Sequence, residues 1–310
     1  MRAGPKGTVT ANPLELKGYP SNRARRREKF ITDYLVTPRG HGAGKPFRLR
    51  PFQRQIIRGA FAPGVRTALV SIPRANGKTM LAAALGIAEM FVGDASAEVL
   101  VVASDQRQAN ITLRYARRMV ELNPLLAERI QIYADRLYLP ENDAALLPLP
   151  AEPGALHGHD PSLQIVDELH VVTEQVWEAV TSVVGKRPQS LTLAISTPAA
   201  SPDSIMSRLV GHGRLGDDPA FYFKEYAAPE GCATDDRKAW RIANPALACR
   251  DPFLSEDGIE AARKTIREPV FRQLRLGQWV TGAPNPRLTS WRRVEPINPT
   301  PLGLHRGHRT

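Results

Sequence analysis

Three features of the sequence predict an α/β fold, a parallel sheet flanked by helices. Four short, apolar, β-branched runs (residues 67–72, 98–103, 163–166 and 191–195) are bounded by polar or turn residues, as strands buried on both faces are. Helical patterns separate them, and strand alternating with helix requires crossover connections and therefore parallel strands. Two of the runs lead directly into clusters of glycine, lysine and carboxylate, at the edge where open α/β sheets hold ligands.

Taken in order, residues 1–58 form a basic head with 14 Lys and Arg against three acids, Glu15, Glu28 and Asp33. That head accounts for the whole net charge of +11, because the rest of the chain carries 28 residues of each sign. Its densest part is RARRREK at residues 23–29. Two readings stand side by side, a surface that meets nucleic acid phosphates and a solvated, partly mobile arm. The stretch FRLRPFQRQII (47–57) starts an amphipathic helix. Residues 80–91 are apolar almost all round, as a helix packed into a sheet is. After Ser104, a helix with Ile111, Tyr115, Met119 and Leu122 on one face stops at Asn123-Pro124. IQIYADRLYLPEND alternates weakly, as a hairpin on one edge of the sheet does, and TEQVWEAVTSVV from Thr173 is a third helix.

The texture changes near Gly211, where GHGRLGDDPA is linker-like. The aromatic strand FYFKEYAA and a helical stretch at 255–268 follow, and the last 27 residues hold five prolines. The expected organisation is a basic segment (1–58), a core (59–211), a small linker or lid subdomain (212–283) and a disordered tail (284–310). At 42% hydrophobic the chain can bury a core of that size. No run of eighteen apolar residues exists and the N-terminus lacks an apolar leader, so a soluble cytosolic protein with no membrane partner is expected. Cys232 and Cys249 lack the spacing of a disulfide framework or a zinc site.

The first chemical motif is SIPRANGKT, residues 71–79. A triphosphate needs backbone N–H groups curled around it, a helix N-terminus behind it and one long cation. Gly77 lets the backbone approach, Lys78 reaches the β- and γ-phosphates, and Thr79 holds Mg²⁺. The glycine that usually opens such a loop is missing, for Ile72 stands there, and Pro73 with its fixed φ can open the turn differently. The second motif is LQIVDELH at 163–170. Its strand end places Asp167 to hold Mg²⁺ through water and Glu168 to polarise the attacking water. A strand–helix unit between the two motifs fits the RecA-like, ASCE branch of the P-loop NTPases, which carries its catalytic glutamate beside the magnesium aspartate. The third motif, Ser196-Thr197-Pro198, puts hydroxyls at the same edge, where they could sense the γ-phosphate or simply cap the strand. A fourth is Gln53, with a donor and an acceptor for an adenine edge, beside Phe52 as a stacking face. His157 and His159 lack a third metal ligand and belong to a turn, and His170 is a helix-start residue.

These residues, in this order, resemble the large terminase subunit of tailed bacteriophages, over residues 45–283. The resemblance rests on PFQ, SIPRANGKT, VLVVASDQRQA, LQIVDELH, AISTPA, WRIANPAL and LRLGQWV. In that family a Pro-Arg-x-Asn-Gly-Lys-Ser/Thr loop without the first glycine is usual, which brings Asn76 into the nucleotide site. The resemblance also implies that Arg74 contributes positive charge to the γ-phosphoryl transition state, a task suited to a guanidinium fork. It implies ATP and Mg²⁺ as cofactors and Ser196, Thr197 and Pro198 as a coupling motif. Its implied partners are double-stranded DNA, a portal protein, a small terminase subunit and further copies in a homo-oligomeric ring. The expected place of action is the cytoplasm of a bacterial host rather than the mature virion.

The chain departs from the family after Trp291. An RNase H-like nuclease domain would place metal-clamping carboxylates there, whereas WRRVEPINPTPLGLHRGHRT offers Glu295 alone. An ATPase without the nuclease half is therefore expected from this polypeptide. Two other readings remain. DELH matches the DExH box of helicases, although no second RecA-like domain follows, and a non-catalytic remnant acting as a DNA-binding or assembly protein would keep the fold and hydrolyse nothing.

Overall fold

The structure, a computed structural model, describes residues 11–280 except 157, 184, 200 and 202. The N-terminal ten residues and the segment 281–310, with the expected tail and the missing carboxylates, lie outside the described residues, as does His157. Helices α1 (Arg23–Tyr34) and α2 (Pro51–Ala60) precede the first strand, β1 (Thr67–Ser71). Then come α3 (Lys78–Val92), β2 (Glu98–Ala103), α4 (Gln106–Glu121) and the short α5 (Pro124–Ala127). Strands β3 (Gln131–Ile132), β4 (Leu137–Leu139) and β5 (Ala144–Pro150) follow, then the one-turn α6 (Pro153–Leu156). The chain continues through β6 (Leu163–Asp167), α7 (Glu174–Thr181), β7 (Leu191–Ser196), α8 (Ile205–Leu215) and β8 (Phe221–Glu225). It closes with α9 (Arg237–Ala243), α10 (Pro245–Ala248), α11 (Glu256–Thr265) and α12 (Glu268–Leu276).

All eight strands form one sheet in the order β3-β4-β5-β2-β6-β7-β1-β8. Every pairing from β5 to β8 is parallel, and the antiparallel β3–β4 hairpin extends one edge, where the alternating stretch placed it. The order β6-β7-β1 matters most for function. It separates the phosphate-loop strand from the Asp-Glu strand by one strand and leaves a gap between their ends. Two strands were not read as parts of the sheet. Pro148 and Pro150 hide β5, which nevertheless pairs with β2 through Val101↔Pro148 and Ala103↔Pro150. The prolines are tolerated because the partner on the other side, β4, pairs only with residues 144–146, so no ladder there requires their missing N–H.

The second is β8, expected in the subdomain after the linker but hydrogen-bonded to β1 as the sheet's other edge. The linker-like glycines before it are helical, and α8 ends only at Leu215, with Gly216 in the left-handed region (φ 68°). A Cβ on Gly213 would collide with the Phe223 ring, and one on Gly59 with Tyr222. Glycine here lets α8 and α2 press onto the aromatic strand.

Helix α4 also differs from expectation, burying Ala109, Thr112, Leu113, Ala116, Met119 and Val120. The small residues on that face bring it close to the sheet, while Ile111 and Tyr115 are only half-buried at its margin. One large core lies on the α1–α4 side of the sheet and a second lies under α7 and α8. A third, around Trp240 and Phe271, gathers α9, α11 and α12 into their own unit behind the strand ends. No helix among the described residues is long and apolar enough to cross a membrane.

The described part of the basic head is packed onto the core. Helix α1, N-capped by Asn22, buries Ala24, Phe30 and Ile31. Arg27 in the middle of RARRREK is itself buried, donating to Glu89 of α3 at 2.8 Å.

Candidate functional site

The loop after β1 turns in two left-handed residues, Ala75 (φ 68°) and Gly77 (φ 76°). Alanine in that region is uncommon, and it turns the loop that lacks the usual first glycine. Gly77 is the N-cap of α3 and offers no side chain to the helix. The first-turn N–H groups are thus left for an external anion, with the helix dipole behind them. Lys78 folds back, its Nζ donating to the carbonyls of Ile72 at 3.3 Å and Pro73 at 3.5 Å. Burial lowers its pKa, Glu168 and Asp167 oppose that shift, and Arg74 adds to it.

At the end of β6, Asp167 faces the head of α3, and Thr79 Oγ1 donates to Asp167 Oδ2 at 3.4 Å. Asp167 is buried, and this desolvation, with the Glu168 charge beside it, raises its pKa to about 6. Lys78 and hydrogen bonds from Thr79 and the Glu168 backbone only partly offset the rise. Glu168 adopts a left-handed backbone (φ 60°) with its N–H bonded to Ile195 O at 3.2 Å. A hydroxyl beside a buried, under-neutralised carboxylate fits a hard divalent cation. No group of three His, Cys, Asp or Glu able to hold a metal exists among the described residues, so such an ion would take its other ligands from phosphate and water.

The third motif lies across the same gap. Ser196 is opposite Ser71 in the β1–β7 register; its Oγ donates to Thr197 O at 2.8 Å and accepts from His170 N at 3.1 Å. Thr197 Oγ1 and Ser71 Oγ are buried with no hydrogen-bond partner among the described residues. Pro198 O accepts from Gln273 Nε2 of α12 at 2.8 Å.

Two of the expected nucleotide residues are placed differently. The Asn76 side chain is buried and used up inside the protein. Its Nδ2 donates to Asn244 Oδ1 at 2.9 Å and to Pro73 O at 3.2 Å, and its Oδ1 accepts from Ala246 N at 3.1 Å. Asn244 in turn donates to Trp240 O and Arg275 O. With Arg74 N bonded to Leu274 O at 2.9 Å, these bonds bolt the loop to the α9–α12 unit. Phe52 is buried against Tyr226 and Phe253. Phe253 lines the adjoining cavity of about 630 Å³, with Phe47, Gln53, Ala75, Gly77, Met80 and Tyr115. A Cβ on Gly77 would stand 3.1 Å from its ring. Gln53 Oε1 accepts from Arg50 N at 2.9 Å, which orients its amide.

Arg74 is exposed and makes no ion pair among the described residues. Arg275, half-buried on α12, has its pKa lowered by burial and by Arg74. The loop therefore lies in a positive field from Arg74, Lys78 and Arg275. Phe253, Asn244, Arg275 and His170 were not singled out for the site in the sequence. The only signal was that Asn244 lies in WRIANPAL and Arg275 in LRLGQWV, segments with no chemistry of their own. His159 lies in irregular backbone before β6, its Nδ1 2.7 Å from Glu98 Oε1. Asp105 caps α4 by accepting from Arg107 N and Gln108 N.

Comparison with known proteins places this geometry in context. The family model described as terminase large subunit, ATPase domain, matches residues 56–213. The large terminase subunit of Enterobacteria phage HK97 is 32% identical over 271 residues, covering 84% of this chain and 54% of that protein. The crystal structure of the HK97 large terminase superposes with a TM-score of 0.74 over 83% of this chain and 55% of that one. The ATPase domain of the Thermus phage P74-26 large terminase (18% identity, TM-score 0.57) covers 76% of this chain and 95% of that domain. The large terminase of a thermophilic bacteriophage, solved in complex with ATP-γ-S (12% identity, TM-score 0.55), covers 75% and 53%. The last two share the fold. The chain spans about half the length of the HK97 protein.

Proposed function

The chain belongs to the family of terminase large subunits, through their ATPase domain, and on that premise we propose that it is an ATP-hydrolysing motor subunit that drives double-stranded DNA into procapsids. The observation that carries the reading is the convergence of Lys78, Thr79, Asp167 and Glu168 on one gap at the sheet edge, with Thr79 Oγ1 3.4 Å from Asp167 Oδ2. The ATP-γ-S complex of the thermophilic bacteriophage protein supports ATP as the ligand.

In this mechanism the first turn of α3 and Gly77 receive the phosphates. Lys78 exchanges two weak carbonyl bonds for the β- and γ-phosphate oxygens. Thr79 and Asp167 would hold Mg²⁺, which would supply neutralising charge to those phosphates. Glu168 orients the attacking water and takes its proton. Arg74 offers its guanidinium to the charge that develops on the γ-phosphoryl oxygens. The base lies in the cavity between Gln53 and Phe253, with the ring of Phe253 in the stacking role first assigned to Phe52. Ser196, Thr197 and Pro198 feel the loss of the γ-phosphate at the end of β7.

The DNA, the portal, the small subunit and the ring of copies belong to the same proposal, as does action in the host cytoplasm. Steady-state ATP turnover and nucleotide binding, measured together, test the reading. Lys78→Ala loses ATP binding because no neighbouring cation replaces the charge on the β- and γ-phosphates. Glu168→Gln keeps binding and loses about a hundredfold or more in turnover, on the order expected of a general base. Undiminished affinity in the first variant, or parental turnover in the second, overturns the assignment.

A further inference from the structure

His170 lies three residues past Asp167, in a short helical turn after β6, and its ring hydrogen-bonds Ser196 while standing in ion-pair range of Glu168. Its Nδ1 is 3.2 Å from Glu168 Oε2 and 3.1 Å from Ser196 Oγ. The Ser196 hydroxyl hydrogen is already committed to Thr197 O, so Ser196 Oγ can only accept from the imidazole. The Glu168 carboxylate likewise only accepts. Nδ1 must therefore carry the proton, whether the ring is neutral or charged. The backbone N–H of His170 also ends on Ser196 Oγ at 3.1 Å, which pins the residue to β7 twice. Burial pushes the imidazole below its ordinary range, with Lys78 and Arg74 adding to the shift and Glu168 opposing it. Near neutral pH the ring is thus the neutral Nδ1–H form.

We propose that His170 is a positioning residue: its Nδ1–H, anchored on Ser196 Oγ, stands 3.2 Å from Glu168 Oε2 and sets the Glu168 carboxylate in register with the C-terminal end of β7. The inference rests on the reading of Glu168 as the group that activates water. Glu168 has a left-handed backbone and a side chain that stays partly exposed. The imidazole then fixes one carboxylate oxygen and leaves the other for the water. Because Ser196 leads along the backbone through Thr197 to Pro198, whose carbonyl is held by Gln273 of α12, the carboxylate and the α9–α12 unit are joined through His170, the end of β7 and Gln273. A shift of α12 that pulls on the β7 end moves Ser196, and with it the orientation of Glu168. Turnover is thereby governed by the unit behind the strand ends, without any change in the residues that hold phosphate.

The test combines kinetics with imidazole nitrogen NMR on the full chain. His170→Ala lowers kcat about tenfold, while KM for ATP stays within about twofold, because no phosphate contact is lost. His170→Asn recovers most of the loss, since its amide N–H reaches the position of Nδ1. Parental kcat in His170→Ala, or equal loss in the Ala and Asn variants, overturns the proposal. The ¹⁵N spectrum of the parent shows His170 protonated at Nδ1, with a resonance that moves in Ser196→Ala. An Nε2–H tautomer, or a resonance indifferent to Ser196, overturns it independently of any activity. Failure of the underlying reading is seen separately, as parental turnover in Glu168→Gln.

Discussion

Two clusters of charge lie on either end of α3, and they are built on opposite principles. Near its C-terminal end, Glu89 is buried against Arg27 of α1, with Nε 2.8 Å from Oε2, and the Arg27 guanidinium lies 4.4 Å from the Phe61 ring centroid. At the next position of α1, buried Glu28 receives Arg54 at 3.0 Å and Arg58 at 2.7 Å. In this cluster each buried charge meets an opposite one. At the N-terminal end of α3, Lys78 reaches only carbonyls, Asp167 meets a hydroxyl at 3.4 Å and a backbone N–H but no cation in an ion pair, and Arg74 meets no acid among the described residues. Burying charge is costly unless it is paired. The first cluster has met that cost internally and fastens α1 to the core. The second has left it open, as a site does when a ligand completes it. Charge density along the chain pointed to the first as the nucleic acid surface, whereas pairing in space shows that its central arginine is structural.

The sharpest way to break this contrast is to unpair the satisfied end. Glu89→Ala leaves the Arg27 guanidinium buried without an acid and should destabilise the protein by about 3 to 5 kcal/mol, read from urea unfolding, with ATP affinity in the folded fraction unchanged. A negligible loss would mean that water or another acceptor serves Arg27 and that α1 is not fastened by this pair.

The unsatisfied end should respond in the opposite direction. Asp167→Asn removes a charge that the nucleotide-free fold disfavours, so the free protein gains stability on the order of 1 to 3 kcal/mol near pH 8 while Mg²⁺-dependent turnover is lost. The pH dependence has a definite sign. Because the folded-state pKa of Asp167 is raised to about 6, its favourable contribution is fully present below about pH 4 and is lost as pH rises through about 6. The difference between parent and Asp167→Asn should therefore open across that window and vanish below it. Thermal unfolding of both proteins from about pH 4 to about pH 8 checks this, and parallel curves would show that Asp167 is already neutralised in the free protein.

The smallest effect tests the cavity beside the loop. Phe253→Ala should weaken ATP binding by about tenfold, as loss of one stacking face does, and leave inorganic triphosphate binding unchanged. Equal loss for both ligands would mean that Phe253 supports the loop through Gly77 rather than facing the base. Isothermal titration with each ligand separates the two.

The parts of the site that were legible are those whose chemistry is continuous in the chain. Gly77, Lys78 and Thr79 are consecutive, Asp167 and Glu168 are adjacent, and each set follows a strand whose burial is written in β-branched residues. What escaped is assembled from distant segments. Asn244 stands 168 positions from Asn76 yet completes its hydrogen bonds. Phe253 lines the cavity and Phe52 does not, because α2 turns Gln53 towards it while Phe52 packs against Tyr226 and Phe253. Prolines hid β5, since the tolerance depends on how far β4 extends beside it. The glycines of α8 imitate a linker because nothing local reveals the Phe223 ring that excludes a side chain at Gly213.

By itself, then, the sequence determined the α/β architecture, the phosphate loop, the carboxylate pair and the family. Periodicity and adjacency are local properties that any folded outcome must respect. Only the tertiary structure decided which arginines are spent within the fold, which aromatic rings face the cavity and which imidazole stands beside Glu168. Each of these depends on whether a charge or a hydrogen bond finds its partner across the sheet edge. That partner is chosen by packing between segments far apart in the chain, where composition and spacing carry no record of it.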